Sequence, residues 1–265
     1  MLDMQILNIS SSSIKSLVSA QEWQLRTDLA ACYRLAALFG WSDLIFTHIS
    51  AKLPDDGSGI EKFLINPYGL FFDEMTASDL LVVDAEGQLQ GPVRGNMNRA
   101  GFVIHSTIHA ARPDVHCVLH THSKAGVAVS AQEDGLLRIS QQASLIVNAL
   151  AYHDYQGVAV HDKERTSLVT DLGTHEYLLL RNHGLLTASR GIADAFMAMY
   201  LLESACQIQL AAQGSNRLRH VTDEVQRELE DTVKIMEASA PVSRSELAWP
   251  GLLRRLDRLN PGYAQ

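Results

Sequence analysis

The sequence predicts a single α/β domain, and three observations support this prediction. Helix-like and strand-like hydrophobic patterns alternate along the chain, 46% of its 265 residues are hydrophobic, and neither an internal repeat nor a break in composition divides it. Alternating helices and strands are typical of a sheet covered by helices, and a chain of this size can bury a core. We expect the domain over residues 19–214, a disordered Ser-rich tail over residues 1–18 and a C-terminal helical extension over residues 215–265.

The first half of the domain predicts a helix, three strands and a second helix. Ser19 and Glu22 have the spacing of a capping box, and apolar residues at three- and four-residue steps predict a helix over residues 20–39. DLIFTHISAKL and KFLINP predict two strands of a hairpin joined by the turn PDDGSG, and LLVVD predicts a third strand. A helical pattern over residues 98–112 stops at Pro113, which could not continue it.

The second half predicts further strands followed by long helices. HCVLHTH predicts a strand, KAGVAVSAQ a helix, LIVNALAYHDY and GVAVHD strands or a strand and a loop, and EYLLLRNHG a buried strand that ends in a glycine turn. The longest helix is expected over residues 190–213, and an amphipathic helix over residues 222–238. In the terminal segment WPGLLRRLDRLNPGY, Trp249 and Leu252 could dock on a partner subunit or pack onto their own domain.

Charge and cysteine usage limit the classes of partner. The chain carries 22 Lys and Arg against 30 Asp and Glu, with no dense basic run, so it lacks the charge pattern of a nucleic-acid-binding protein. Its three cysteines are far apart, which argues against a disulfide framework and against a thiolate zinc site. Neither a signal-peptide pattern nor an apolar run of about 18 residues occurs. We expect a cytoplasmic protein that contacts no membrane and binds a small molecule or a protein.

Three histidines form a candidate metal site. Side chains two residues apart in a strand share a face, so His120 and His122 of HCVLHTH can direct two imidazoles to one ion. His183 in RNHGLL ends a buried strand just before a glycine turn, where functional side chains are often exposed, and is the candidate third ligand. Three neutral imidazoles leave positions open to water or substrate, which is typical of a catalytic metal site.

The other histidines allow different interpretations. An isolated H-x-H pair in a strand can be an ordinary pair of hydrogen-bonded histidines. His105 and His109 stand four residues apart on one face of a predicted helix and could chelate a metal themselves. His116 shares a strand face with His120 but lies too near the start of that strand. The remaining histidines have no partner by spacing and are expected to be structural or solvent-facing: His48, His153, His161, His175 and His220.

An ordered set of segments resembles the class II aldolase/adducin family. In chain order the set is FTHIS, INPYG, EMTASDL, AGFVIHSTIHAARPDVHCVLHTH, AYHDY and RNHGLL, over roughly residues 22–213. The resemblance implies a three-layer α/β/α fold with a mostly antiparallel central sheet. It also implies a zinc site of three histidines, whose positions are matched one for one by His120, His122 and His183. Family aldolases assemble as tetramers with active sites at subunit boundaries, which implies a homo-oligomer.

One departure from the family pattern concerns the catalytic base. In the family aldolases a glutamate near the start of the helix before the H-x-H strand acts as acid and base, whereas the matching position in this chain is Gly101. The base could then be a metal-bound hydroxide, His48, Tyr152, Tyr155 or a group from a neighbouring subunit.

The family pattern also suggests substrate-binding residues. Asn66, Tyr68 and Gly69 of INPYG and Arg99 of NRAG stand where family aldolases bind substrate, and Arg99 could meet a carboxylate or phosphate as a bidentate donor. The residue types at these places depart from those that hold a sugar phosphate, which argues against a phosphorylated sugar as substrate.

Three functions are consistent with the resemblance. The first is a metal-dependent lyase of aldolase type, in which zinc, or Fe(II), Mn or Co in its place, acts as a Lewis acid on a small hydroxy-carbonyl substrate. The second is a non-haem Fe(II) oxygenase on the same three histidines. The third is a non-catalytic binding or scaffold protein of adducin type; the resemblance is to the adducin-like bacterial branch, with the histidine triad intact.

Overall fold

The computed structural model describes residues 11–157, 162–214 and 217–265. Within these ranges, seven strands form one sheet, and five of the six neighbouring pairs are antiparallel. The strands are β1 His48–Lys52, β2 Lys62–Ile65, β3 Leu81–Asp84, β4 Cys117–Thr121, β5 Leu150–His153, β6 Tyr177–Leu180 and β7 Gly184–Ser189. Their order across the sheet is β3-β2-β1-β4-β7-β6-β5, and β5 and β6 are the parallel pair. The mostly antiparallel sheet that the resemblance implied is therefore confirmed.

Helices cover both faces of this sheet. They are α1 Ser11–Leu17, α2 Ala20–Leu38, α3 Arg99–Ala111, α4 Lys124–Ser130, α5 Gln141–Ile146, α6 Asp162–Leu172, α7 Ile192–Ala212, α8 Asp223–Ser239 and α9 Arg244–Leu259. The layer formed by α2, α4 and α7 contacts one face, and the layer formed by α3 and α6 contacts the other. The three-layer α/β/α arrangement is confirmed. No helix in the described ranges has both the length and the apolar character needed to cross a membrane.

The alternation of β4 divides the core between the two faces. Cys117 and Leu119 belong to the larger apolar cluster beneath α2 and α7, whereas Val118 belongs to the cluster beneath α3 and α6. Because side chains alternate along a strand, His120 lies on the same face as Val118. The candidate metal site therefore opens on the α3 side of the sheet, at the end of its central strand.

Two predicted segments differ from the structure. Within the predicted tail, residues 11–17 form helix α1 and Ile14 is 2% exposed, so a disordered tail is wrong for that part, while residues 1–10 lie outside the described ranges. Within LIVNALAYHDY, only residues 150–153 are a strand. The preceding residues are helical because the Ser140 side chain caps α5 by accepting a hydrogen bond from the Ala143 N–H.

Other elements were not predicted. GVAVHD falls largely on residues 158–161, outside the described ranges, and is followed by α6, whose sequence DKERTSLVTDL carries too few apolar residues to form a clear stripe. Strand β7 was missed because all six of its residues are buried, so it shows no alternation of apolar and polar positions.

The C-terminal helix α9 packs on the domain. Trp249 donates a hydrogen bond from Nε1 to Asp28 Oδ1 (3.1 Å), and Leu252 packs against the larger apolar cluster. Arg34 of α2 donates to the carbonyl oxygen of Pro261 (2.6 Å), which fixes the chain after the helix. Of the two interpretations of the Trp249 and Leu252 pair, the structure therefore favours packing onto their own domain.

Candidate metal centre

The sheet brings together the three histidines that the sequence singled out. His120 is the penultimate residue of β4, His122 directly follows the strand, and His183 lies in the turn between β6 and β7. Since β4 pairs with β7 in a register that sets Thr121 opposite Leu185, the end of one strand meets the start of the other. Gly184 permits this approach, because a Cβ there would lie 2.3 Å from the Thr121 carbonyl oxygen.

The imidazole Nε2 atoms converge on one point. Nε2 of His122 lies 2.9 Å from Nε2 of His120 and 2.9 Å from Nε2 of His183, and one ring nitrogen from each of the three lies within 4.8 Å of the others. Three imidazole nitrogens, with no further ligand in the cluster among the described residues, match the ligand set of a catalytic zinc site.

Hydrogen bonds at the opposite ring nitrogens determine what the Nε2 atoms can do. His120 Nδ1 donates to the Leu185 carbonyl oxygen (2.9 Å), and His122 Nδ1 donates to Asp43 Oδ2 (3.2 Å). A neutral imidazole carries one proton, so both Nε2 atoms are left with bare lone pairs that face each other. Two facing lone pairs repel unless a cation lies between them. The residues present therefore fit a divalent metal ion.

The pKa values of the triad agree with this assignment. Burial lowers the pKa of His120 well below its ordinary value, with further lowering by His183 and His122. Burial also lowers the pKa of His122, although Asp43 opposes the shift, and burial with His122 lowers the pKa of His183 to about 4. The three imidazoles are thus neutral at pH 7, which is the form that binds metals.

Asp43 is a candidate site residue that sequence reasoning missed, because nothing in SDLIF links it by spacing to a histidine 79 residues away. A carboxylate behind a metal-binding imidazole fixes its tautomer and raises its basicity.

Replacing Asp43 with Asn is expected to weaken divalent-metal affinity by about 10- to 100-fold. Competition with a coloured chelator would measure the effect, and Asp55→Asn in the exposed β1–β2 loop is the control. An unchanged affinity in Asp43→Asn would contradict this role.

His48 lies beside the triad. It pairs with His120 across β1 and β4, and the two ring centroids are 5.0 Å apart. Its Nδ1 lies 2.8 Å from Nε2 of His105, and the residue is only 3% exposed. Burial lowers the pKa of His48 well below its ordinary value, with further lowering by His105, His122 and His183. The structure thus places one predicted catalytic residue next to the candidate metal ligands as a neutral imidazole.

The ring of His48 occupies the space that a side chain at position 101 would need. A Cβ on Gly101 would lie 2.2 Å from Cδ2 and 2.3 Å from Nε2 of His48. Heavy atoms cannot approach so closely, and the His48 ring is buried. The structure therefore leaves no room for a side chain at position 101, where the resemblance implies the glutamate of the family aldolases.

The two candidate tyrosines lie in different places. The Tyr155 ring is 6.3 Å from that of His183 and is 56% exposed, so it stands at the mouth of the site. Tyr152 accepts a hydrogen bond from the Leu136 N–H, and the Arg181 guanidinium stacks on its ring. These contacts lie on the opposite face of the sheet from His120, so the structure does not bring Tyr152 to the triad.

The candidate substrate-binding residues are also separated. Asn66 is buried, with its Oδ1 2.8 Å from the Tyr33 hydroxyl, whereas Tyr68 is 43% exposed and Gly69 has φ +114°. Arg99 is exposed at the start of α3 and lines a cavity of about 400 Å³. Asn66 thus has a structural partner, while Tyr68 and Arg99 remain available to a ligand.

The structure bears on two of the alternatives given for the other histidines. His105 and His109 do not chelate a metal between them, because every ring nitrogen of the pair has a hydrogen-bond partner in His48, Ser50 or Val115. His153, expected to be structural or solvent-facing, is buried beside Asp171, whose Oδ2 accepts from its Nδ1 at 2.7 Å.

Comparison with known proteins identifies the family. The family model for the class II aldolase and adducin N-terminal domain matches residues 27–210. This chain belongs to the class II aldolase/adducin family. Among relatives of this family member, a class 2 aldolase-like protein of Pseudomonas aeruginosa is 50% identical over 96% of this chain and 97% of its own length. Rat alpha-adducin is 45% identical over 72% of this chain, which corresponds to 26% of the adducin.

Solved structures agree with this assignment. An aldolase II superfamily protein from Pseudomonas syringae has a TM-score of 0.87 and 45% identity, covering 95% of this chain and 99% of that one. An L-fuculose 1-phosphate aldolase from Glaciozyma antarctica has a TM-score of 0.76 and 25% identity, covering 95% of this chain and 92% of that one.

Proposed function

We propose that this class II aldolase/adducin family member is a divalent-metal-dependent lyase that cleaves a small hydroxy-carbonyl substrate, with zinc as its ion. The convergence of three Nε2 atoms, two of them made bare by hydrogen bonds at Nδ1, carries the proposal. A purely structural zinc site would be closed by a fourth protein ligand. Among the described residues, the cluster contains three histidines and no further ligand. The site would therefore have a position for substrate.

The surrounding residues suggest how the chain would assist such a cleavage. A divalent cation bound by the triad would polarise the substrate's carbonyl or hydroxyl oxygen. In a retro-aldol step a base takes the hydroxyl proton, that oxygen forms a carbonyl, and the carbon–carbon bond breaks towards the carbon beside the existing carbonyl. His48 is our candidate for the base, because it is a neutral imidazole beside His120. We assign Tyr155 to the mouth of the site and Arg99, which is exposed two residues before Gly101 at the start of α3, to an anionic group of the substrate.

The resemblance to family aldolases extends the proposal to assembly. Their active sites lie at subunit boundaries, and Tyr155 at the mouth of this site is more than half exposed in the single chain. We propose that a homo-oligomer covers this mouth and supplies the remaining substrate contacts. The substrate is a small molecule.

Metal content tests the proposal directly. The full chain, purified without a metal-affinity tag, is expected to contain about one divalent ion per chain by plasma mass spectrometry. His122→Ala removes a ligand and should lose most of that metal. The matched control is His116→Ala, which removes an exposed imidazole just before β4 and should leave the metal content unchanged.

Other outcomes of the metal analysis would contradict the lyase proposal or favour a different function. Protein that contains no metal, although it never met a chelator, would contradict the proposal. Bound iron together with substrate-dependent oxygen consumption would favour an oxygenase. With zinc present, cleavage of hydroxy-carbonyl compounds should stop when a chelator removes the ion and return when zinc is restored.

A further inference from the structure

A buried hydrogen-bonded chain leads away from the metal centre on the α3 face of the sheet. We call its members, His48, His105, Ser50 and His109, the histidine chain. His48 Nδ1 lies 2.8 Å from His105 Nε2, His105 Nδ1 lies 2.6 Å from Ser50 Oγ, and Ser50 Oγ lies 2.8 Å from His109 Nε2. His109 Nδ1 ends the chain 3.2 Å from the Val115 carbonyl oxygen. Strand β1 supplies His48 and Ser50, and helix α3 supplies the other two residues.

The Val115 carbonyl group fixes the direction of the two hydrogen bonds farthest from His48, those that His109 makes with Val115 and with Ser50. A carbonyl oxygen can only accept, so the His109 proton is on Nδ1 and points at Val115. Burial lowers the pKa of His109 to about 4, and His109 is therefore neutral with a bare Nε2. That Nε2 must accept the hydrogen bond from the Ser50 hydroxyl, which uses the only proton Ser50 has.

The same reasoning continues to His48. Because the Ser50 proton is committed to His109, Ser50 Oγ can only accept from His105, so His105 carries its proton on Nδ1. Burial lowers the pKa of His105 well below its ordinary value, and its neutral ring then presents a bare Nε2 to His48. His48 must donate to it from Nδ1. One proton per ring leaves Nε2 of His48 unprotonated.

We propose that His105, Ser50 and His109 are positioning residues that lock His48 in its Nδ1–H tautomer, so that Nε2 is held as a hydrogen-bond acceptor beside the metal centre. An isolated neutral imidazole favours the opposite tautomer, with the proton on Nε2. Among the described residues, Nε2 of His48 has no hydrogen-bond partner and lies against the first turn of α3 at Gly101. The histidine chain thus fixes the tautomer of His48, as the Asp43 carboxylate fixes that of His122, but it does so with neutral side chains and one backbone carbonyl.

The tautomer assignment stands on hydrogen-bond geometry and on the neutrality of the buried rings, whereas its use in proton transfer rests on the proposed lyase function. A carboxylate partner would attract a second proton to the imidazole and stabilise its charged form. Neutral partners do not stabilise a charged His48, so the ring keeps a single proton, on Nδ1, and its Nε2 remains an acceptor. This arrangement suits a base that must be unprotonated before the substrate arrives.

Nitrogen-15 NMR of the histidine rings tests the proposal in the full chain as purified. Long-range proton–nitrogen correlation spectra distinguish a protonated from an unprotonated ring nitrogen in each neutral imidazole. We expect His48, His105 and His109 all to carry the proton on Nδ1. A proton on Nε2 of His48 or of His105 would overturn the proposal. The measurement needs no variant and does not depend on enzymatic activity.

Interrupting the histidine chain gives a second test. Ser50→Ala removes the acceptor for His105 Nδ1–H, so His105 and then His48 are expected to move their protons to Nε2. Ser50→Thr keeps the hydroxyl and should keep the wild-type tautomers. Ser189→Ala is the control, because it removes a hydroxyl of β7 that donates to Glu176 and takes no part in the histidine chain. If folded Ser50→Ala protein retains the wild-type tautomers, the positioning role is wrong.

Activity separates this proposal from the proposed function. If the lyase activity is present, Ser50→Ala should lower kcat by about 100-fold or more with little change in KM, since general-base assistance is lost while binding remains. If no lyase activity is found in any form of the protein, the proposed function fails and the tautomer result still stands.

Discussion

Gly101→Ala is expected to destabilise the folded protein by about 1–3 kcal/mol, the usual cost of forcing an extra group into a filled volume. The added Cβ would lie 2.2 Å from His48 Cδ2, and His48 is held at Nδ1 by its contact with His105. Urea unfolding would measure the effect. Gly251→Ala in α9 is the matched control, because a Cβ there meets nothing closer than 3.7 Å, and alanine in a helix should raise stability by up to about 1 kcal/mol.

The family glutamate and the imidazole of His48 should therefore exclude each other. Gly101→Glu alone is expected to fold poorly, and removing the ring in the double variant His48→Ala with Gly101→Glu should recover much of the loss. A double-mutant cycle should give a coupling of at least about 1 kcal/mol in this direction. If the two effects simply add, the shared volume is not the reason for the glycine.

Replacing Glu203 with Gln is expected to abolish a pH-dependent loss of stability. Glu203 of α7 is 1% exposed, and its Oε2 has no hydrogen-bond partner among the described residues. Burial raises the pKa of this carboxyl to about 7, partly offset by hydrogen bonds from Ser123 and Thr121. In the unfolded chain the pKa is near 4.5, so above that pH the unfolded state loses its proton first.

The sign of the effect follows from this order of ionisation. The stability of the wild type is unaffected below pH 4.5, falls as the pH rises towards 7 and is then lower by about 3 kcal/mol. Unfolding free energies at pH 4.5 and pH 8 should therefore show a gain for Glu203→Gln mainly at pH 8. Glu228→Gln on the exposed side of α8 is the control and should change little at either pH. An equal effect of Glu203→Gln at both values would show that Glu203 is not the titrating group.

The structure shows which parts of the site a sequence can predict. His120 and His122 were recognisable because strand alternation alone sets them on one face, and His183 because a buried strand stops at it. Asp43 and the contact between His48 and His105 depend on how a loop and α3 cross β1, which no local pattern records. The sequence alone showed that Gly101 departs from the family pattern, but only the structure shows that the ring of His48 fills the space beside it.

The same division holds for the fold. The resemblance correctly implied the three layers and the mostly antiparallel sheet. Periodicity missed β7, because a strand buried on both faces does not alternate. It also misassigned residues 145–149 as strand, where the helix capped by Ser140 extends into a run of β-branched and apolar residues.

The distance along the chain between the candidate ligands has a consequence for the order of folding and metal binding. His122 and His183 are 61 residues apart, and they meet only when β4 pairs with β7 in the middle of the sheet. Closing a loop of that length costs entropy, which strand pairing and core burial offset rather than the ion. In zinc fingers the metal gathers nearby ligands and drives folding. In this chain we expect the sheet to form without a metal, and a divalent ion bound by the triad would then add stability by binding the folded state.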